Sequence, residues 1–321
     1  MLAVACVSQS ADDPLSGLEV GERPEPDVPE GWVRVAVKAA ALNHHDLWSL
    51  RGVGLAADRL PMILGCDAAG VTDEGREVVV HAVISGAGWS GDETLDPKRT
   101  LLSELHQGTL AQSVVVPAGN VLAKPAELSW EEAACLPTAW LTAYRMLFTQ
   151  SGLRPGDRVL VQGAGGGVAT AAIVLARAAG FSVWTTSRDA GKRERALELG
   201  AHAAFETGAR LPDRVDAVLE TVGKATWSHS MRALRPGGTL VVSGATTGAD
   251  PSADLNRLFF LQLRVLGSTM GTRSELAGLL NFCSAAGVRP LIDEVLPMSE
   301  ARRGFERLEA GDVFGKIVLT V

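Results

Sequence analysis

Residues Gln162-Gly163-Ala164-Gly165-Gly166-Gly167-Val168-Ala169 carry the strongest chemical signal in the chain. They continue an apolar, strand-like run at 158–162 and open a helix-like run from Thr170 to Ala179 that ends at Gly180. Small residues between a strand and a helix let the backbone turn tightly and approach a pyrophosphate. The helix N-terminus adds free N–H groups and a partial positive charge. The expected cofactor contacts are Ala164, Gly165, Gly166, Gly167 and Val168, with Ala169 permitting close helix–sheet packing. An ordinary glycine-rich turn is the alternative, and the strand–turn–helix context argues against it.

The end of the second strand, Thr185-Thr186-Ser187-Arg188-Asp189-Ala190-Gly191-Lys192-Arg193, selects between nicotinamide dinucleotides. An acidic residue there binds the ribose 2′-hydroxyl of NAD. Here a hydroxyl and a guanidinium come first, so Arg188 or Lys192 pairs a 2′-phosphate and Ser187 hydrogen-bonds it. The expected cofactor is NADPH. Asp189 is the counter-indication, although it lies past the usual ribose contact. Lys192 and Arg193 also read as a solvated helix face.

Around these residues the chain is long enough for two domains, 321 residues at about 150 per domain. With 46% hydrophobic and 21% charged residues it is no disordered chain, coiled coil or collagen-like fibre. A net charge of −7 argues against broad nucleic-acid binding. Cys6, Cys66, Cys135 and Cys283 are scattered, which predicts neither a disulfide framework nor a structural zinc lobe. No basic leader precedes an apolar core, and no apolar run reaches the roughly 18 residues of a membrane span. The expectation is a reduced, cytoplasmic protein acting on a small molecule, with no nucleic-acid or membrane partner.

The first third reads as β-rich. Val33, Val35 and Val37 alternate with Arg34, Ala36 and Lys38, and 77–84 and 111–116 read as further strands of a small barrel or sandwich. Ser129, with Glu132 three residues on, marks a helix start. From Arg158 strands at 158–162, 182–186, 216–221, 239–243 and 264–270 alternate with helical segments, which means a parallel sheet with covered faces. The last 30 or so residues give an amphipathic helix and a strand expected to return to the first domain.

The motifs ALNHHDLWSLRG (41–52), LGCDAAG (64–70), GTLAQSVVVPAGN (108–120), LPTAWLTAYR (136–145), VLVQGAGGGVA (159–169), LRPGGTLVVSGATTG (234–248), LGSTMGTRSEL (266–276) and FGKIVLTV (314–321) resemble the medium-chain dehydrogenase/reductase superfamily, in its quinone-oxidoreductase-like and zinc-binding-dehydrogenase-like branch. The resemblance covers nearly the whole chain. It implies an α/β protein: a GroES-like β-rich catalytic domain at 1–123 and 290–321, a Rossmann doubly wound parallel sheet at 124–289, and an active site in the cleft between them. Zinc-dependent members use Cys as first ligand, where Asn43 stands here. Gly65-Cys66-Asp67 replaces their Gly-His-Glu, and Thr138 aligns with their third ligand. An amide and a hydroxyl are poor zinc ligands, so no metal is expected. A different geometry using His44, His45, Asp46, Cys66 and Asp67 is the open alternative.

Without a metal, hydride transfer to a quinone or an α,β-unsaturated carbonyl remains, because such acceptors need only modest polarisation. The candidate catalytic residues are Asn43 and Thr138, as donors to a substrate carbonyl or the nicotinamide ribose, and His45, Cys66 and Asp67, as proton sources. His45 is the best matched to neutral pH. Trp48 and Trp89, in loop-like segments, are candidate substrate walls, while Trp140 and Tyr144 read as core. The resemblance places further cofactor contacts at Val222, Gly244, Ala245, Thr246, Met270, Gly271, Phe314 and Lys316, the last two as a C-terminal clamp near ribose or phosphate. The chain is shorter than typical members between Gly70 and Val78 and between Gly200 and Asp216, which trims a helix beside the adenosine half. Members commonly form homodimers by pairing an edge strand, and 259–270 is the candidate here. A metal-dependent alcohol dehydrogenase and a catalytically silent dinucleotide-binding sensor are the competing functions.

Overall fold

Period-two alternation near the N-terminus folds into antiparallel sheet, and the strand–helix alternation beyond Arg158 folds into parallel sheet, in a computed structural model that describes residues 1–321. Residues 1–141 and 271–321 form one unit, and 142–270 form the other. In chain order the first unit opens with β1 (Leu2–Cys6), β2 (Leu18–Glu22), β3 (Trp32–Ala41), α1 (His44–Leu50), β4 (Met62–Ile63), β5 (Ala68–Thr72), β6 (Glu77–Val80), β7 (Val83–Ile84), β8 (Thr100–Leu101), β9 (Ser113–Pro117), β10 (Val121–Ala123) and α2 (Trp130–Ala134). Next come α3 (Leu141–Tyr144), β11 (Arg158–Val161), α4 (Gly167–Ala178), β12 (Ser182–Thr186), α5 (Ala190–Glu198), β13 (Ala203–Phe205), β14 (Val215–Glu220), α6 (Lys224–Ala233), β15 (Leu234–Val242), α7 (Leu255–Phe260) and β16 (Arg264–Gly267). The chain then rejoins the first unit with α8 (Arg273–Ala286), β17 (Ile292–Pro297), α9 (Ala301–Ala310) and β18 (Lys316–Thr320).

The main sheet of the first unit runs β10-β6-β5-β3-β18-β17, with β9 also on β3. The C-terminal strand returns as expected: Val318, Leu319 and Thr320 of β18 lie antiparallel to Ala41, Ala40 and Ala39 of β3. Small residues on β3 admit this close partner. At the head of α2, Ser129 Oγ accepts from Glu132 N, and the Glu132 carboxylate accepts from Ser129 N at 2.9 Å. That is the reciprocal cap the sequence predicts.

The second unit is a six-stranded, all-parallel sheet in the order β13-β12-β11-β14-β15-β16. That is the 3-2-1-4-5-6 arrangement of a dinucleotide-binding fold. Leu160, Val218 and Leu240 of adjacent strands are fully buried in one core cluster, as strands covered on both faces require. The shortened connection 206–214 contains no helix.

The compact units divide at Leu141/Thr142 and Met270/Gly271, while the expected domain boundaries lie at 123/124 and 289/290. The reason is packing: α2 lies against β3 and β5, and α8 lies against the helical turn Leu136–Trp140, so both helices belong to the first unit. One expectation is corrected: the strand expected at 77–84 is broken at His81-Ala82. There the Asn120 side-chain amide donates to both His81 O and Val83 O, so the chain leaves β6 and restarts as β7.

His81 itself is 1% exposed, and neither ring nitrogen has a hydrogen-bond partner. Its Nε2 lies 3.7 Å from the Glu93 carboxylate. Burial holds its pKa down to about 4; nearby Arg273 lowers it further and Glu275 opposes. The unfolded chain binds this proton below about pH 6.5, the folded chain only near pH 4, so stability is full above 6.5 and falls as pH drops. Urea melts should show His81→Leu losing on the order of 3 kcal/mol less than the wild type between pH 6.5 and 4. Parallel pH profiles for the two proteins would refute this.

Candidate functional site

The start of α1 is held by a buried polar knot. Lys316, first residue of β18, is 2% exposed. Its Nζ donates to Leu42 O (2.7 Å), Asn43 Oδ1 (2.6 Å) and Asp67 Oδ2 (3.1 Å). Three protons meet three acceptors. Asn43 Nδ2 donates to Asp67 Oδ2 (2.8 Å) and Ala41 O (3.3 Å), so both amide protons are used. Asn43 N donates to Asp46 Oδ2 (2.8 Å), and Asp46 Oδ1 accepts from Gly65 N (3.0 Å). Burial pushes the Asp46 carboxyl up to about 7 against those two hydrogen bonds.

This geometry bears on three of the expected site residues. In this arrangement Asn43 has no proton left for a substrate carbonyl. Lys316 has none left for ribose or phosphate. Phe314 is 2% exposed, packed inward rather than presented as a clamp. Gly315 allows the turn between them: its φ is +120°, and a Cβ would sit 2.4 Å from Leu291 O. The chain passes too close to Leu291 for any side chain there.

What the knot leaves over is specific. Asp67 Oδ1, His45 Nε2 and Thr138 Oγ1 are buried and have no hydrogen-bond partner. All three belong to the sequence-predicted set, and buried polar atoms are rarely left unpaired. Thr138 lies on a π-helical turn, Leu136–Trp140, a distortion frequent at functional sites. His45 Nε2 is 3.9 Å from Glu104 Oε1. Burial lowers the His45 pKa and raises that of Glu104, while Asp67 pulls His45 back up. Trp48 lies on α1, not in a loop, with Arg51 stacked 5.5 Å from its ring. Trp89 is in a loop, 41% exposed, its Nε1 donating to Asp92 O.

Two of the residues that stand where zinc-dependent members place ligands are engaged elsewhere. The Cys66 thiol is fully buried, and burial lifts its pKa far above the usual thiol range. It donates to Leu102 O at 3.2 Å. Asp67 gives its Oδ2 to the Lys316 ammonium, and no three of His, Cys, Asp and Glu converge as a ligand set.

In the second unit the residues suit a dinucleotide. Gly166 is the N-cap of α4 and no side chain caps that terminus, so the first N–H groups of the helix are open to an anion. Gly163 turns the chain with φ +84°. After β12, Ser187 is 9% exposed and Arg188 is exposed. Arg193 fixes their backbone by donating to Ser187 O (2.7 Å) and Arg188 O (3.2 Å), so it is a tether and not a purely solvated side chain. Asp189 Oδ1 accepts from Lys192 N (2.7 Å) and caps α5, which gives its carboxylate a local structural role. Val222 O accepts from Thr247 N (2.8 Å) and Thr247 Oγ1 (2.7 Å), which ties the loop after β14 to the loop carrying Gly244, Ala245 and Thr246. Met270, at φ +46°, ends the second unit, and Gly271 precedes Thr272, the N-cap of α8. A buried polar network around Glu220 and Gln162 was not anticipated, because its members are isolated polar residues in apolar strands and helices.

No helix is long and apolar enough to cross a membrane. The sequence profile of the zinc-binding dehydrogenase family matches residues 167–285, and that of the alcohol dehydrogenase GroES-like domain matches 29–126. An alcohol dehydrogenase of Geobacillus stearothermophilus is 31% identical over 94% of this chain and 95% of its own length. An acryloyl-coenzyme A reductase of Metallosphaera sedula is 28% identical over 95% and 96%. A crystal structure of an NAD-dependent alcohol dehydrogenase has a TM-score of 0.92 at 36% identity, with 100% of each chain covered. With a GroES-like unit, a parallel dinucleotide-binding sheet and full-length relatives, the chain belongs to the medium-chain dehydrogenase/reductase superfamily, in its zinc-binding-dehydrogenase-like branch, and is an oxidoreductase of that type.

Proposed function

We propose that this oxidoreductase works without zinc and uses NADPH to reduce an α,β-unsaturated carbonyl compound or a quinone. The observation that carries the reading is the Lys316 knot: it consumes Asn43 and shares Asp67, and it leaves the Thr138 hydroxyl as an unpartnered donor. When bound, the cofactor supplies a hydride to the β-carbon of the enone or to the quinone ring. Thr138 Oγ1 donates to the substrate oxygen on which negative charge develops. His45, kept neutral near pH 7 by burial, passes on a proton drawn from water, which completes a two-electron, two-proton reduction. An acryloyl group is itself an α,β-unsaturated carbonyl, so the likeness to the Metallosphaera sedula reductase supports this acceptor class.

The choice of NADPH rests on Ser187 and Arg188 at the end of β12, with Asp189 engaged as a helix cap. A homodimer paired through β16 belongs to the same reading. β16 is an edge strand bonded only to β15, and the adjoining α7 exposes Leu255, Phe259 and Phe260.

Turnover of NADPH with an enone or quinone should survive chelation, and Thr138→Val should cut kcat/KM by roughly 10²-fold while NADPH binding is kept. Activity lost to a chelator and restored by zinc would overturn the metal-free reading. Titrations that follow energy transfer from tryptophan should show NADPH bound more tightly than NADH. Arg188→Ala should weaken NADPH about tenfold and leave NADH unchanged; tighter NADH would refute the assignment. Sedimentation should find a dimer that Phe260→Asp splits, and a monomeric wild type would remove β16 from the account.

A further inference from the structure

The carboxyl edge of the parallel sheet is organised around one carboxylate. Glu220, the last residue of β14, is fully buried. Its Oε1 accepts from Val222 N (2.8 Å), Gly223 N (3.0 Å) and Thr226 Oγ1 (2.9 Å). Its Oε2 accepts from Ser230 Oγ (2.6 Å). Ser230 Oγ accepts in turn from Gln162 Nε2 (2.9 Å). Gln162 Oε1 accepts from Thr186 Oγ1 (2.6 Å), and Thr186 Oγ1 accepts from Gly163 N (3.3 Å).

Only one set of proton directions satisfies this chain. The carboxylate takes the Ser230 proton, so Ser230 must accept from an amide N–H. That turns the Gln162 carbonyl toward Thr186, whose proton it takes. Thr186 is left with a lone pair for Gly163 N–H, the first residue of the glycine-rich loop. His229 enforces the same orientation of Gln162: its Nε2 donates to Ala209 O (2.8 Å), so its Nδ1 accepts from Gln162 Nε2 (2.9 Å). The loops following β11 and β14 and the end of β12 are thus joined in one chain of hydrogen bonds that ends on Glu220. The loop after β15 joins them through Thr247 and Val222 O.

We infer that Glu220, acting through Ser230, Gln162 and Thr186, is a positioning residue for the dinucleotide, holding the glycine-rich loop and the loop after β14 in their binding geometry before the cofactor arrives. The inference rests on the dinucleotide-binding role of this unit but not on the substrate. Preorganised loops lose less entropy on binding, so the network should be read in cofactor affinity rather than in the chemical step.

Ser230→Ala cuts the branch to Gln162 and leaves the Glu220 bonds to Val222 and Gly223. In the cofactor-free protein, amide exchange at 163–167 should quicken about tenfold, with the rest of the sheet unchanged. The Kd for NADPH should rise by a similar factor while kcat at saturating NADPH stays within about twofold. Ser230→Thr, which keeps the hydroxyl, should restore both. Glu220→Gln should do more, and Ser230→Ala decides the matter should that variant fail to fold. Unchanged exchange in Ser230→Ala overturns the inference, as does faster exchange with unchanged affinity. A wild type that binds neither NADPH nor NADH is a separate failure, of the oxidoreductase reading.

Discussion

The ion pair between Lys316 and Asp67 is the constraint from which the first unit is built. Both groups are almost wholly buried, and breaking such a pair by removing one partner costs about 3–5 kcal/mol. The ammonium arrives on β18, so the C-terminal strand must return to β3 for the charge on Asp67 to be met. From there the hydrogen bonds close a circle. Lys316 fixes Asn43, Asn43 N fixes Asp46, Asp46 fixes Gly65, and two residues further on the chain is back at Asp67. The register of β18, the start of α1 and the turn at 64–67 are one interlocked arrangement. Gly315 belongs to it, since only a residue without Cβ brings Lys316 past Leu291.

The second unit solves the same problem differently. Glu220 is as buried as Asp67, yet its partners are backbone N–H groups and hydroxyls. A buried carboxylate is tolerable when several donors converge on it, and the low local dielectric then strengthens each of those bonds. A neutral donor shell imposes direction on every hydroxyl and amide beyond it, whereas the Lys316 ammonium orients one amide, that of Asn43. The first unit therefore gains a fixed charge balance, the second a fixed orientation of loops.

Much of this was legible in the sequence. Strand–turn–helix context identified the glycine-rich loop, the Ser129/Glu132 spacing identified a cap, and β character at both chain ends placed the last strand. The failures have physical causes. β13 is three residues, Ala-Ala-Phe, too short for periodicity to register. The boundaries of the units depend on which neighbours α2 and α8 pack against, a matter of tertiary contacts between distant segments. Lys316 reads from the resemblance as a cofactor clamp, and no sequence pattern shows its burial, because lysines seldom occupy cores and its acceptors lie more than 240 residues away. Gln162, Ser230 and Glu220 show no pattern at all until three elements bring them together.

The charge balance of the knot bears on which chemistry the first unit can support. The Lys316 charge is met by Asp67, while Thr138 and His45 each keep a buried polar atom without a protein partner. Drawing an alcohol toward an alkoxide calls for a strong positive centre, whereas a hydroxyl supplies a single hydrogen bond. Stabilising an oxygen that gains only part of a negative charge requires less, and one well-placed hydroxyl donor is of the right order, about 2.7–4 kcal/mol for an oxyanion contact. An acceptor already activated by conjugation needs help of that size. The acceptor class proposed above asks no more of the first unit than a donor of that strength.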